Sequence, residues 1–153
     1  MINLLIAVPC KDSVKERLVK EFSCDYHITF AQGDKDVIAR ELKTAEVVIG
    51  EPDPKLLTEA KNLKWMQITW AGADRYTKAF PETVILTNTS GAFGRIISEY
   101  TMGMILAQYK RLTEYYVNQK NKVWADRGRE RSLLGKRVLI LGTGNVGSSI
   151  AQK

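Results

Sequence analysis

Residues 136–147, with the sequence KRVLILGTGNVG, constrain the fold of this chain more than any other segment. Val138 to Leu141 form a short continuous apolar run, which is typical of a strand buried on both faces of a sheet. The glycine pattern G-x-G-x-x-G follows at once, and residues 148–152 can begin a helix. A strand, this pattern and a helix together favour a dinucleotide-binding turn over an ordinary strand–turn–helix, which remains the alternative.

Each glycine of the pattern has its own role in such a turn. Gly142 permits a tight turn, Gly144 lets the backbone approach a pyrophosphate, and Gly147 lets the helix pack against the strand. The free N–H groups at the start of the new helix face the phosphates. The predicted cofactor-binding residues of this loop are Gly142, Gly144, Asn145, Val146 and Gly147.

The size and composition are those of a globular domain. A chain of 153 residues can bury a core, and no apolar run approaches the roughly 18 residues of a membrane span. Residues 1–8 lack the basic start of a signal peptide and are predicted to form a first strand. Cys10 and Cys24 provide neither a disulfide framework nor a metal-binding spacing, so we expect no metal site and a cytoplasmic location.

The positive charge is concentrated in one segment. The net charge is +6, and residues 110–137 alone hold 9 Lys and Arg against 3 Asp and Glu. Such a segment either binds nucleic acid or is a solvated helix end and linker. We favour the second interpretation and expect no nucleic-acid partner, because no aromatic pattern of a nucleic-acid module accompanies the charge.

Strand and helix patterns alternate through the first part of the chain. The predicted strands cover residues 3–8, 26–30, 46–50, 65–70 and 84–87. Helices are predicted for residues 12–22, 34–42 and 54–60, the first two capped by Asp12 or Ser13 and by Asp34. A turn at residues 71–74 leads into a short helical piece that Pro81 ends. This alternation, with short connections, predicts an α/β fold with a doubly wound parallel sheet.

The second part of the chain begins with a long helical pattern. Residues 95–121 are predicted to form one helix, and Gly103 in its middle suggests close packing of another element there. An arginine-rich connection, residues 124–134, then leads to the glycine turn. The predicted organisation is therefore a domain of residues 1–94, a long helix and linker of residues 95–134, and the start of a second, incomplete domain at residues 135–153.

Three segments together resemble a known family. Residues 63–74 (LKWMQITWAGAD), 87–106 (TNTSGAFGRIISEYTMGMIL) and 134–147 (LGKRVLILGTGNVG) are similar, in order and spacing, to the D-isomer-specific 2-hydroxyacid dehydrogenases. The similarity extends throughout residues 1–153. It implies a flavodoxin-like substrate domain followed by a Rossmann domain that binds NAD. It also implies a homodimer and hydride transfer between the nicotinamide and a small 2-oxo or 2-hydroxy acid.

The resemblance assigns roles to residues outside the glycine turn. Ala71, Gly72 and Ala73 match a loop whose backbone N–H groups bind the substrate carboxylate, as successive N–H groups in a turn can. The alternative is a structural turn that needs glycine. Thr101 matches a position against the cofactor and is otherwise a helix-core threonine, whereas Glu99 is expected to be structural.

The catalytic residues of the family fall outside this chain. Its arginine, acidic residue and histidine all follow the glycine strand, so we predict no catalytic residue here and expect the chain alone to be inactive. The only histidine, His27, is expected to be a surface or packing residue. The acidic residue that reads the ribose, about 20 positions beyond the glycines, is also absent, so NADP is not excluded.

Another class of protein remains as the alternative. A stand-alone flavodoxin-like binding module would have the same sheet without catalysis. A phosphoacceptor receiver domain is one form of it, but it needs acids clustered at the strand ends. Residues 9–11 (PCK), after the first strand, do not supply them.

Overall fold

A computed structural model describes residues 1–79 and 81–153 of the chain. The chain divides into two compact units, residues 1–90 and 91–153. Five parallel strands form the sheet of the first unit. The strands are β1 (Ile2–Ile6), β2 (Tyr26–Phe30), β3 (Val47–Ile49), β4 (Trp65–Gln67) and β5 (Ile85–Thr87). Their order is β2-β1-β3-β4-β5, and every neighbouring pair is parallel. The prediction of a doubly wound parallel sheet is confirmed.

The helices of this unit lie between the strands. They are α1 (Asp12–Phe22), α2 (Lys35–Glu41) and a 3₁₀ helix (Pro54–Glu59). Residues 74–78 form turns, so the predicted short helical piece is wrong over those residues. Its end near Phe80 lies outside the described residues.

One of the two predicted helix caps is present. The Asp34 carboxylate accepts hydrogen bonds from the N–H groups of Asp36 and Val37, at 2.9 and 3.2 Å. For α1 the prediction is wrong, because the N-cap is Lys11 and its side chain makes no capping hydrogen bond. Asp12 instead lies inside the first turn, where its negative charge interacts favourably with the positive end of the helix dipole. Its carboxylate also forms an ion pair with Lys15 at 2.9 Å.

Both faces of the sheet are apolar, as expected of parallel strands. On one face Leu5, Val48 and Met66 pack with Ile38 of α2, with Leu42 directly after it, and with Leu57 of the 3₁₀ helix. On the other face the core is smaller and is formed by Leu4, Ile6 and Val47. This packing fixes the sheet, so its carboxyl edge is a rigid support for the loops that follow the strands.

The second unit contains three helices: α3 (Gly94–Tyr109), α4 (Leu112–Lys120) and α5 (Asn145–Ala151). The prediction of one helix over residues 95–121 is wrong, because the chain breaks where Arg111 adopts φ +51°. Gly103 lies inside α3, and a Cβ added there would meet no atom within 4 Å, so the predicted close packing at Gly103 is also wrong. The close approach occurs at Gly94, where a Cβ would lie 2.5 Å from the Ser149 Oγ of α5.

The predicted strand at residues 138–141 is not formed. Val138, Leu139 and Leu141 are 70, 85 and 89% exposed. A strand needs a neighbour to pair its backbone groups, and the described part of residues 91–153 contains no other strand. The helix predicted after the glycines is present as α5. None of the helices that the structure describes has the length and hydropathy needed to cross a membrane.

Candidate functional site

The loop Ala71-Gly72-Ala73 follows β4 at the carboxyl edge of the sheet. In open parallel sheets, ligands bind in the crevice outside the carboxyl ends of the strands. Asn88 Nδ2 donates to the Ala71 carbonyl oxygen at 2.7 Å, and the Tyr76 N–H donates to the Ala73 carbonyl oxygen at 2.8 Å. The loop is therefore held by its carbonyl groups at both ends.

The N–H groups of this loop remain available. Within the described ranges 1–79 and 81–153, neither the Gly72 nor the Ala73 N–H donates a hydrogen bond. Gly72 is exposed and Ala73 half-buried. Two successive N–H groups without partners can bind an anion such as a carboxylate.

Gly72 is not required by the turn itself. Its φ lies outside the left-handed region, and a Cβ added there would meet no atom within 4 Å. The structural alternative for this loop, a turn that needs glycine, therefore finds no support in its backbone or its surroundings. The absent side chain leaves open space directly beside the available N–H groups.

Glu51 positions the start of the loop, although the sequence analysis did not identify it. Its carboxylate accepts hydrogen bonds from the Thr69 N–H and from Thr69 Oγ1, the latter at 2.8 Å. Thr89 Oγ1 donates to the Thr69 carbonyl oxygen at 2.8 Å. The only sequence signal for Glu51 is an acidic residue directly after the strand that becomes β3.

Tyr76 anchors the other end of the loop. Its side chain is fully buried, and its hydroxyl donates to the Pro52 carbonyl oxygen at 2.9 Å. Burial raises the pKa of the Tyr76 phenol, an effect that Arg75 opposes and that Glu51 and Asp53 reinforce. The neutral phenol is therefore the form that the fold favours.

We expect Tyr76→Phe to destabilise the protein by about 1–2 kcal/mol at pH 7, because the buried Pro52 carbonyl loses its donor. Urea unfolding of both proteins measures this difference. The tyrosine contribution is fully present below the unfolded pKa of about 10 and is lost as the pH rises through the raised folded value. A difference in stability that grows above pH 10 would contradict the assignment.

The glycine turn lies in the second unit, before α5. Gly142 has φ +101°, a conformation that favours glycine, and a Cβ added to Gly147 would overlap the Gly142 carbonyl oxygen. Gly147 therefore permits a close backbone contact with Gly142, and its Cβ would also lie 3.4 Å from Ile140 in the segment that the sequence predicted as a strand. Both glycines are needed to form the turn.

Gly144 differs from the other two glycines. Its backbone is extended, with φ −69° and ψ −171°, and a Cβ there would meet nothing within 4 Å. The first helical hydrogen bond runs from the Ser148 N–H to the Gly144 carbonyl oxygen at 2.9 Å. The N–H groups of Asn145, Val146 and Gly147 precede it and have no acceptor in the described part of the chain.

These features fit the pyrophosphate of a dinucleotide. The space over Gly144 is open, three N–H groups lack acceptors, and residues 142–149 contain no carboxylate to repel a phosphate. Ser148 Oγ donates to the Thr143 carbonyl oxygen at 2.9 Å and so holds the turn in place. The turn therefore presents three N–H donors beside open space.

The remaining candidates occupy ordinary positions. Thr101 is half-buried in α3, and its hydroxyl donates to the Ile97 carbonyl oxygen at 2.8 Å. Glu99 is exposed, and its bonds to Lys153 and Arg95, both 3.3 Å, hold the pKa of its carboxyl below the usual value. His27 is exposed on the edge strand β2, nearer the amino edge of the sheet than the edge with the Ala71–Ala73 loop.

Comparison with known proteins gives a consistent result. Residues 102–153 match the family model described as the NAD binding domain of D-isomer specific 2-hydroxyacid dehydrogenases. The chain is 25% identical to a hydroxypyruvate reductase of Thermotoga maritima over 136 residues. This alignment covers 84% of this chain and 44% of that protein. It is 24% identical, over 160 residues, to a hydroxyphenylpyruvate reductase of Plectranthus scutellarioides, with 99% and 51% covered.

Solved structures include the same family. A D-isomer specific 2-hydroxyacid dehydrogenase family protein from Aeromonas salmonicida is 30% identical, with a TM-score of 0.80 over 98% of this chain and 49% of that one. An NAD-dependent formate dehydrogenase from Staphylococcus aureus, solved with NAD, shares the fold at 16% identity and a TM-score of 0.76 over 99% of this chain and 52% of that one. The chain thus spans about half the length of the relatives it matches.

Proposed function

We infer that this chain, which belongs to the D-isomer specific 2-hydroxyacid dehydrogenase family, supplies the substrate-carboxylate loop and the cofactor-pyrophosphate loop of an oxidoreductase. One observation supports this most directly. Gly72 and Gly144 are glycines that neither the backbone conformation nor any neighbouring atom requires, and both lie beside N–H groups without acceptors. Close approach of an anionic ligand explains both positions.

The proposed reaction is hydride transfer between C4 of the nicotinamide of NAD and C2 of a small 2-oxo or 2-hydroxy acid. The part of this chain is binding and orientation. The N–H groups of Gly72 and Ala73 fix the carboxylate and thereby C2, and those of Asn145 to Gly147 fix the pyrophosphate. Holding two reactants in a reactive geometry can remove several kcal/mol from a barrier.

We also propose a homodimer. The apolar side chains of Ile96, Tyr100 and Met104 on α3 are 67, 68 and 53% exposed. Burying the exposed part of each side chain against a second copy is favourable by about 1–2 kcal/mol. We further propose that the protein is cytoplasmic, as the cysteine content suggests, and that it uses NAD rather than NADP.

Amide chemical shifts of the 153-residue chain test the two loops separately. We expect NADH to shift the signals of Asn145, Val146 and Gly147, and pyruvate to shift those of Gly72 and Ala73. Chloride at the same ionic strength is the control for a general salt effect. If neither ligand moves the signals of its own loop, the proposed function is wrong.

We expect no turnover by the 153-residue chain with NADH and glyoxylate, pyruvate or hydroxypyruvate. No proton donor or guanidinium is assigned to the substrate carbonyl within this chain, and general acid catalysis requires a donor within hydrogen-bond reach. NADH absorbance at 340 nm follows the reaction. Oxidation above background that His27→Ala abolishes would contradict this assignment of the site.

A further inference from the structure

Trp70 and Arg75 flank the Ala71–Ala73 loop. The Arg75 guanidinium carbon lies 5.9 Å from the centroid of the Trp70 ring, within the range of a cation–π interaction. Trp70 is 46% exposed, so the pair lies at the surface beside the loop. The exposed arginine side chain therefore has an aromatic contact with the residue directly before the loop.

The charge of Arg75 is not neutralised within the described residues 1–79 and 81–153, where no carboxylate lies within 4.0 Å of its guanidinium. Two acids at the same edge of the sheet are engaged elsewhere, and Asp74, directly before Arg75, makes no ion pair with it. Glu51 binds Thr69, and Asp53 accepts a hydrogen bond from the Lys55 N–H at 2.9 Å. An arginine without an ion-pair partner among the described residues thus follows, two residues after Ala73, the loop that carries the two available N–H groups.

We propose that Arg75 binds a second anionic group of the substrate while the Gly72 and Ala73 N–H groups bind its first carboxylate. The site then prefers 2-oxo or 2-hydroxy acids that carry a distal carboxylate or phosphate. This inference rests on the proposed function. A guanidinium donates two parallel hydrogen bonds to either anion, and contact with the Trp70 ring favours its position beside the loop before binding.

The test measures the affinity of the 153-residue chain for three acids at constant ionic strength. Pyruvate carries one anionic group, 2-oxoglutarate adds a carboxylate, and 3-phospho-D-glycerate adds a phosphate. Amide signals of Gly72 and Ala73 report binding. We expect at least one of the two larger acids to bind about 10-fold more tightly than pyruvate, and the stronger of them identifies the anion.

Variants assign the preference to Arg75. Arg75→Gln should reduce the tighter affinity to that of pyruvate, and Arg75→Lys should retain part of the preference because it keeps the charge without the planar donor. Lys78→Gln removes the same charge from a nearby exposed position and should change nothing. The unliganded amide spectrum of each variant confirms that it is folded.

The outcomes separate this inference from the proposed function. Equal affinity for all three acids, or a preference that survives in Arg75→Gln, overturns the inference. An equal loss of pyruvate and dianion binding in Arg75→Gln also overturns it, because Arg75 would then bind the first carboxylate. If pyruvate still shifts Gly72 and Ala73 in these cases, the carboxylate loop stands; if no acid shifts them, both proposals fall.

Discussion

A Gly144→Val substitution is expected to abolish dinucleotide binding while leaving the fold unchanged. The backbone at Gly144 is extended, a conformation that valine adopts readily, and a Cβ added there would meet no atom of the described chain within 4 Å. The same side chain would occupy the space that a pyrophosphate needs. We expect the NADH affinity to fall by about 100-fold or more, a loss of roughly 2.7 kcal/mol.

Two other glycines provide matched controls for this prediction. Gly103→Ala, at an open position inside α3, should leave NADH binding unchanged and stabilise the helix by about 0.5–1 kcal/mol. Gly147→Ala should lose binding for a different reason, because its Cβ overlaps the Gly142 carbonyl oxygen and the turn must change shape. Amide signals of residues 142–148 should therefore move in Gly147→Ala even without ligand.

Calorimetry with NADH distinguishes the outcomes. Unchanged affinity in Gly144→Val would show that the glycine turn is not the cofactor site. Global unfolding of Gly144→Val would contradict the open space seen at this residue. Loss of binding with an intact spectrum supports the fit between the turn and the pyrophosphate.

Local sequence signals predicted the features that depend on a few consecutive residues. The Asp34 cap is one example, since a carboxylate at this position accepts hydrogen bonds from N–H groups two and three residues later. The order and spacing of apolar runs predicted the five strands in the same way. Because the residues that cause such features lie within one turn or one strand, the features can be predicted from consecutive residues of the sequence.

Features that depend on distant contacts were not predictable in this way. The break at Arg111 involves neither glycine nor proline; the Arg111 guanidinium donates to the Arg127 carbonyl oxygen, 16 residues away. The Ala71–Ala73 loop is likewise held by Asn88, 17 residues from Ala71. No local pattern specifies these partners, and each becomes visible only when the fold brings the segments together.

The strand predicted at residues 138–141 also depends on distant contacts, but here the contacts that the prediction needed are absent from the described residues. Its apolar sequence is typical of a buried strand, but a strand forms only where neighbours satisfy its N–H and C=O groups. The structure instead leaves Val138, Leu139 and Leu141 largely exposed to solvent. The local signal therefore indicates only an apolar segment, and the described residues 91–153 contain no second strand to pair with it.

That unpaired segment leads us to expect self-association of the 153-residue chain. Leu139 and Leu141 are almost fully exposed, and an apolar segment with unpaired backbone groups is a template for a second chain. Burial of each leucine would contribute about 1.5–3 kcal/mol. We expect dimers or larger species by size-exclusion chromatography with light scattering, and fewer of them for residues 1–134.

Truncation alone is an incomplete test, because it also removes α5, which packs on α3 at Gly94. Leu139→Asp is sharper: it places a charge inside the apolar segment and keeps α5, and we expect it to weaken association about 10-fold or more. Leu134→Asp is the matched control, since Leu134 is 91% exposed but lies outside residues 138–141. Hydrogen exchange adds an independent measure of pairing. If both chain lengths are monomeric and the amides of residues 138–141 are well protected in the longer one, the segment is paired within its own chain and the expectation of association is wrong.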